Sequence, residues 1–167
     1  ASDVYKRQDL RDPYGIRFWP AFKGRDGCRT PMPWETGTPN AGFSSAEKPW
    51  LPVPYAHAML AADGQERKAE SVLSHYRAVL AFRKGRGALR DGEMDFIKTN
   101  LDVLAFTRTK GEETLLFVFN LTRHPVEFPL PQGTAIKDIT PMPGFTPLFS
   151  AGKVTLEGLD VFCGIVA

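Results

Sequence analysis

The sequence has no run of about 18 apolar residues, so it offers no helix able to cross a bilayer. Its start lacks the basic stretch and apolar core of a secretory leader. Cysteine is scarce: Cys28 and Cys163 stand far apart, with no C-x-x-C spacing. That spacing points to neither a disulfide framework nor a thiolate metal knuckle, and two reduced, partly buried thiols are expected over a disulfide between them. His57, His75 and His124 are scattered, none at ligand spacing from another histidine, cysteine or carboxylate, so no metal site is assigned. Charge of one sign is lacking too. The 21 basic and 19 acidic residues leave a net +2 with no basic block or stripe. Neither nucleic acid nor an anionic membrane surface is expected as a partner, and nothing calls for a cofactor. No internal repeat or low-complexity segment is visible.

Periodicity is missing over residues 9 to 70, which are rich in proline, glycine and aromatics and hold all three tryptophans, Trp19, Trp34 and Trp50. A structureless stretch of that length belongs to a functional loop or to a segment parted from its neighbours. Order returns with a predicted helix from Ser71 to Lys84. Ser71 is suited to cap its first turn, and Val72, Leu73, Tyr76, Val79 and Leu80 make one apolar stripe. Arg83 and Lys84 complement the helix dipole, and Gly85 is expected as a left-handed C-terminal residue. Arg77, Arg83, Lys84 and Arg86 read as a solvated helix face, and Tyr76 as stripe core.

From Glu93 the pattern is that of strands: Glu93–Thr99, Asp102–Thr109, Thr114–Asn120, Val126–Leu130, Thr134–Ile139, Lys153–Leu156 and Val161–Val166. Lys110-Gly111-Glu112 reads as a hairpin connection. Short β-rich segments with Pro/Gly turns predict an antiparallel sandwich, with Phe96, Phe106, Phe117, Phe119, Phe128 and Phe162 in its core. The boundary between the halves is expected near Gly87–Asp91. Residues 1–8 fit neither half; the string resembles translated adaptor sequence and is expected to be a non-native tail.

One stretch is distinctive. Gly24-Arg25-Asp26-Gly27-Cys28-Arg29-Thr30-Pro31-Met32-Pro33-Trp34 follows the pattern R-D-x-x-R-T-P-M-x-W. It is preceded by Asp12-Pro13-Tyr14-Gly15 and Trp19-Pro20, and followed by Asn40-Ala41-Gly42-Phe43 and Lys48-Pro49-Trp50-Leu51-Pro52-Val53. These segments closely resemble the loop after the eighth barrel strand of α-glucosidases and oligo-1,6-glucosidases in glycoside hydrolase family 13. Tyr76, Val79, Leu80, Arg83 and Lys84 are similar to the pattern of that family's last barrel helix.

The resemblance implies an α+β fragment: the last loop and helix of a (β/α)₈ TIM barrel at residues 9–89, then an antiparallel β-sandwich domain at residues 90–167. It implies a parent enzyme, cytoplasmic, that hydrolyses terminal α-linked glucose from short α-glucosides with retention. The catalytic carboxylates of the family lie on earlier strands. Asp12, Asp26, Glu35, Asp91 and Glu93 match no catalytic motif, so no catalytic residue is assigned and this chain alone is expected to be inactive. Arg29 is the residue the resemblance marks for binding the terminal glucose, together with an upstream Asp; a planar guanidinium suits adjacent sugar hydroxyls. The alternative is an Arg–carboxylate pair that only shapes the loop. Arg25 is a second substrate-binding candidate, on the leaving-group side of the pocket, against a local ion pair with Asp26 and an Asx-type turn bracing the loop. Trp34, Phe43 and Trp50 are expected as buried packing anchors rather than sugar platforms.

Other functions stay open. A glucosyl-transferring or sucrose-isomerising relative would use the same machinery, Met32 leaning mildly towards hydrolysis. A non-catalytic transporter-associated heavy chain shares the fold. A free-standing carbohydrate-binding sandwich would need exposed aromatics on one sheet face.

Overall fold

A computed structural model of the chain describes residues 6–145 and 147–167, as two compact units, residues 6–74 and 75–167. Of the expected tail, residues 1–5 lie outside the described residues, while Arg7–Asp9 form a 3₁₀ turn.

The first unit is built of short turns rather than long elements. Helix α1 (Pro13–Phe18) starts on Asp12, whose Oδ1 accepts the Tyr14 N–H at 3.0 Å, with Pro13 at the first helical position where no N–H is needed. Two 3₁₀ turns follow at Asp26–Cys28 and Pro39–Gly42, then α2 (Tyr55–Ala58) and α3 (Ala62–Glu66). The apolar core of this unit is small: Leu10 and Leu51 are buried against Trp19.

Tryptophans 34 and 50 and Phe43 were expected to be buried. They are 52%, 71% and 50% exposed. A unit with so small a core has no surface on which three large rings can pack.

Helix α4 (Val72–Lys84) begins as expected, the Ser71 hydroxyl accepting the Ser74 N–H at 3.1 Å. Its stripe stays open: Val72 is 78%, Tyr76 63% and Leu80 41% exposed, and no residue of the helix is buried. Gly85 departs from the expectation of a left-handed cap. Its N–H continues the helical ladder to the Ala81 carbonyl at 3.1 Å, and the chain turns out at Arg86, at φ −126°. Gly87–Asp91, where the boundary between the halves was expected, forms a short helix, α5.

Among the described residues the second unit carries eight strands: β1 (Glu93–Phe96), β2 (Val103–Lys110), β3 (Glu113–Asn120), β4 (Val126–Pro129), β5 (Ile136–Ile139), β6 (Leu148–Ser150), β7 (Lys153–Leu156) and β8 (Val161–Val166). They form two antiparallel sheets, ordered β1-β2-β3-β8-β5 and β4-β7-β6. The short β6, after Pro147, had no counterpart in the sequence reading. Ala105, Leu116, Val118, Phe128, Val154, Leu156 and Phe162 fill the core of the sandwich. Leu115, Phe117 and Cys163, next to those residues along β3 and β8, point to the opposite face, where Phe82, Ala88 and Leu89 cover them. Strand β3 is therefore buried on both sides, and reads as the apolar run Leu115–Val118 rather than as an alternation.

Phe106, Phe117 and Phe119 stack with centroids 5.4 to 6.1 Å apart. Phe96 does not join the core: it is 67% exposed, because β1 is a short edge strand exposed along its length. Helix α5 is tied to the sheet by polar contacts: Glu113 Oε2 accepts the Ala88 N–H (3.1 Å), and the Arg108 Nε–H donates to the Ala88 carbonyl (3.1 Å).

Candidate functional site

The distinctive loop closes on itself through two buried aspartates. Asp12 and Asp26 are 2% and 1% exposed. Asp12 Oδ2 accepts the Arg25 N–H at 2.9 Å. Asp26 Oδ2 reaches back to accept the N–H groups of Arg11 (2.6 Å) and Asp12 (2.9 Å). Each carboxylate thus holds the backbone beside the other. Asp26 Oδ1 is buried and has no hydrogen-bond partner among the described residues.

Two glycines make the clasp sterically possible. Gly24 has φ +73°, and a Cβ there would stand 2.8 Å from Asp12 Cβ and 3.0 Å from the Gly15 Cα. A Cβ on Gly15 would stand 2.5 Å from the Lys23 carbonyl oxygen. Only chains without a Cβ can lie this close.

The structure brings both arginine candidates to Asp12. Arg25 Nε stands 3.6 Å and Arg29 Nη1 3.9 Å from Asp12 Oδ2, with side chains 67% and 50% exposed. At those distances and exposures the ion pairs hold little energy by themselves. The Asp12 carboxyl is held below the usual aspartate range, first by N–H donation from Arg25, then from Tyr14, and further by the two guanidinium groups. The Arg29 N–H donates to the Asp26 carbonyl at 2.9 Å, so the 3₁₀ turn fixes the backbone spacing of the pair. The arrangement presents two partly solvated cations on a rigid acidic base. It can donate hydrogen bonds to hydroxyl or carboxylate oxygens.

The sequence reading singled out Arg25 and Arg29 but gave Asp26 only a local turn and Asp12 no task. The signal for Asp12 was present in Asp12-Pro13, a cap followed by proline. Nothing in the sequence marked Asp26 as reaching residues 14 and 15 positions away. Among the described residues no group of three or more His, Cys, Asp or Glu side chains could hold a metal ion, and no helix is long and apolar enough to cross a membrane.

A clasped loop and a terminal helix followed by an antiparallel sandwich form the closing portion of a (β/α)₈ barrel with its C-terminal β domain. Residues 2–92 match the α-amylase catalytic domain and residues 94–162 the maltogenic amylase C-terminal domain. The chain belongs to the α-amylase family. It is 48% identical over 137 residues to a probable α-glucosidase of Rhizobium meliloti (strain 1021), covering 82% of this chain and 24% of that protein. With an oligo-1,6-glucosidase of Bacillus cereus it shares 30% identity, covering 71% and 21%. The crystal structure of an α-glucosyl transfer enzyme, XgtA, superimposes with a TM-score of 0.84 at 44% identity, over 96% of this chain and 29% of that one. The chain thus spans about a fifth to three-tenths of the length of these relatives.

Proposed function

We propose that the protein containing this chain is a retaining α-glucosidase that releases glucose from the non-reducing end of short α-glucosides. The observation that carries the reading is the 48% identity with a probable α-glucosidase over 82% of the chain. Retention requires a carboxylate nucleophile and a carboxylic acid on opposite sides of the scissile bond. Neither belongs to this chain, whose two clasp carboxylates are occupied with backbone N–H groups. Its contribution is binding. Arg29 donates hydrogen bonds to hydroxyls of the terminal glucose and Arg25 lines the leaving-group side of the pocket, both from a base that Asp12 keeps anionic. Desolvated, such bonds favour one orientation of the ring over others and raise the share of productive encounters.

A second reading has its own support: the 44% identity with an α-glucosyl transfer enzyme over 96% of the chain. The same glucose site serves both, since hydrolysis and transfer differ only in whether water or a sugar hydroxyl receives the glucosyl group.

The test is turnover by the whole protein on p-nitrophenyl α-glucoside, maltose, isomaltose and sucrose, with the released anomer followed by NMR. Initial release of α-glucose supports the first reading. Oligosaccharide or isomerised product exceeding free glucose moves the conclusion to the second. No turnover on any α-glucoside overturns both. Arg29→Ala should lower kcat/KM at least about tenfold, a charged hydrogen bond contributing roughly 1.5–3 kcal/mol. Arg29→Lys should restore only part, because an ammonium lacks the planar fork.

A further inference from the structure

We propose that Asp26 is a positioning residue for the sugar-binding arginines, acting through Asp12 and through its own backbone to set where Arg25 and Arg29 stand; this rests on the reading of those arginines as substrate-binding residues. Three features carry it.

The first is burial. An aspartate that only initiates a turn sits at the surface and accepts from N–H groups one to three residues on. Asp26 is 1% exposed, and its Oδ2 accepts instead from Arg11 and Asp12, across a gap of 14 and 15 residues.

The second is connectivity. Asp26 lies between the two arginines, and its carbonyl accepts the Arg29 N–H. Its side chain fixes the N–H of Asp12, whose own carboxylate accepts the Arg25 N–H and faces both guanidinium groups. A shift of the Asp26 side chain therefore moves Asp12, and both cations follow. Asp12 meets both guanidinium groups directly, and Asp26 acts on them through the Asp12 N–H and through its own carbonyl.

The third is the unpaired oxygen. Burying an aspartate side chain is costly, and among the described residues Oδ1 accepts no hydrogen bond that would offset the cost. Bracing of two N–H groups is done by Oδ2 alone, and a neutral amide carbonyl would supply that much. A buried aspartate that spends one oxygen on two backbone N–H groups is kept for the geometry those bonds hold.

The experiment uses the whole protein, with kcat/KM measured on p-nitrophenyl α-glucoside for the wild type, Asp26→Ala, Asp26→Asn, Arg25→Ala and Arg29→Ala, and for Asp26→Ala in the Arg29→Ala background. Asp26→Ala is expected to lower kcat/KM about tenfold or more per folded molecule. Asp26→Asn keeps one acceptor for the Arg11 and Asp12 N–H groups and should recover a clear part of the loss. In the Arg29→Ala background the same Asp26→Ala change should cost a markedly smaller factor, because one of the groups it positions is already gone. A residue of purely structural importance would cost the same factor in both backgrounds. The proposal is overturned if Asp26→Ala stays within about twofold of wild type, or if its factor is unchanged in the Arg29→Ala background. If instead Arg25→Ala and Arg29→Ala both leave kcat/KM near normal, the sugar-binding reading itself fails, and that result is distinguishable because it does not involve Asp26. Should Asp26→Ala not fold, Asp26→Ser is judged by the same criteria.

Discussion

Gly164 offers a sharp test of how the sandwich is packed. It lies on β8 two residues after Phe162, so both face the same side of the sheet. A Cβ on Gly164 would stand 2.7 and 2.8 Å from Cζ and Cε1 of the Phe162 ring and 3.1 Å from Ile136 Cγ2. Phe162 is fully buried, with Phe149 at a centroid distance of 5.9 Å, so the ring has no free volume into which to swing. Gly164→Ala should therefore act as an overpacking change costing about 1–3 kcal/mol, although alanine is otherwise the better strand residue. Phe162→Leu removes the ring edge that causes the clash and leaves a cavity, costing about 1–2 kcal/mol on its own. Together they should partly cancel, the double variant being more stable than the sum of the single losses by at least about 0.5 kcal/mol. The assay is urea unfolding of the full chain followed by far-UV circular dichroism at the strand signal. Tryptophan emission does not report on this unit, because Trp19, Trp34 and Trp50 all lie in the first. Losses that add to within about 0.3 kcal/mol would mean that the ring does not occupy the space beside Gly164, and the reasoning would be refuted.

The purified chain should turn over neither p-nitrophenyl α-glucoside nor maltose and should bind a hydrophobic dye, since Val72, Tyr76, Trp50 and Tyr55 are all more than 60% exposed; measurable turnover, or a dye-negative monomer, would contradict this. A thiol reagent at about pH 8 should modify one cysteine in the native chain and two in denaturant, because Cys28 is exposed while burial pushes the Cys163 thiol up to about 12; two fast thiols would refute it. The carboxyl of Asp12 is lowered from 3.8 on folding, so it stabilises the loop fully above that pH and ceases to do so as the pH falls through its folded value. Asp63, held by Thr36, is lowered in the same sense, so tryptophan emission should report loss of the first unit only below about pH 4; a transition centred near pH 6 would count against the clasp.

What was legible in the sequence followed from local rules. Ser71 announced the helix start, and alternation or apolar runs located seven of the eight strands, because cap chemistry and sheet pleating act over a few residues. Gly85 misled because a glycine after the last turn suits a left-handed cap but does not require one; here Arg86 makes the exit in extended geometry. Phe96 misled because alternation tells which residues share a face, not whether that face of an edge strand is covered. The motif singled out Arg25 and Arg29 as candidates, and both stand beside Asp12. The reach of Asp26 was not legible, since its partners lie across a loop without period, and no spacing rule links position 26 to positions 11 and 12.

The clasp also bears on how such a loop can change over time. Every group that fixes the Arg25–Arg29 turn named above, from the Arg11 and Asp12 amides through Gly15 and Gly24 to the Asp26 carboxylate, lies between Arg11 and Arg29. A segment that carries its own scaffold behaves as a cassette. Substitutions elsewhere in the chain can then accumulate without moving the two guanidinium groups off Asp12, so the loop can stay fixed while its surroundings diverge.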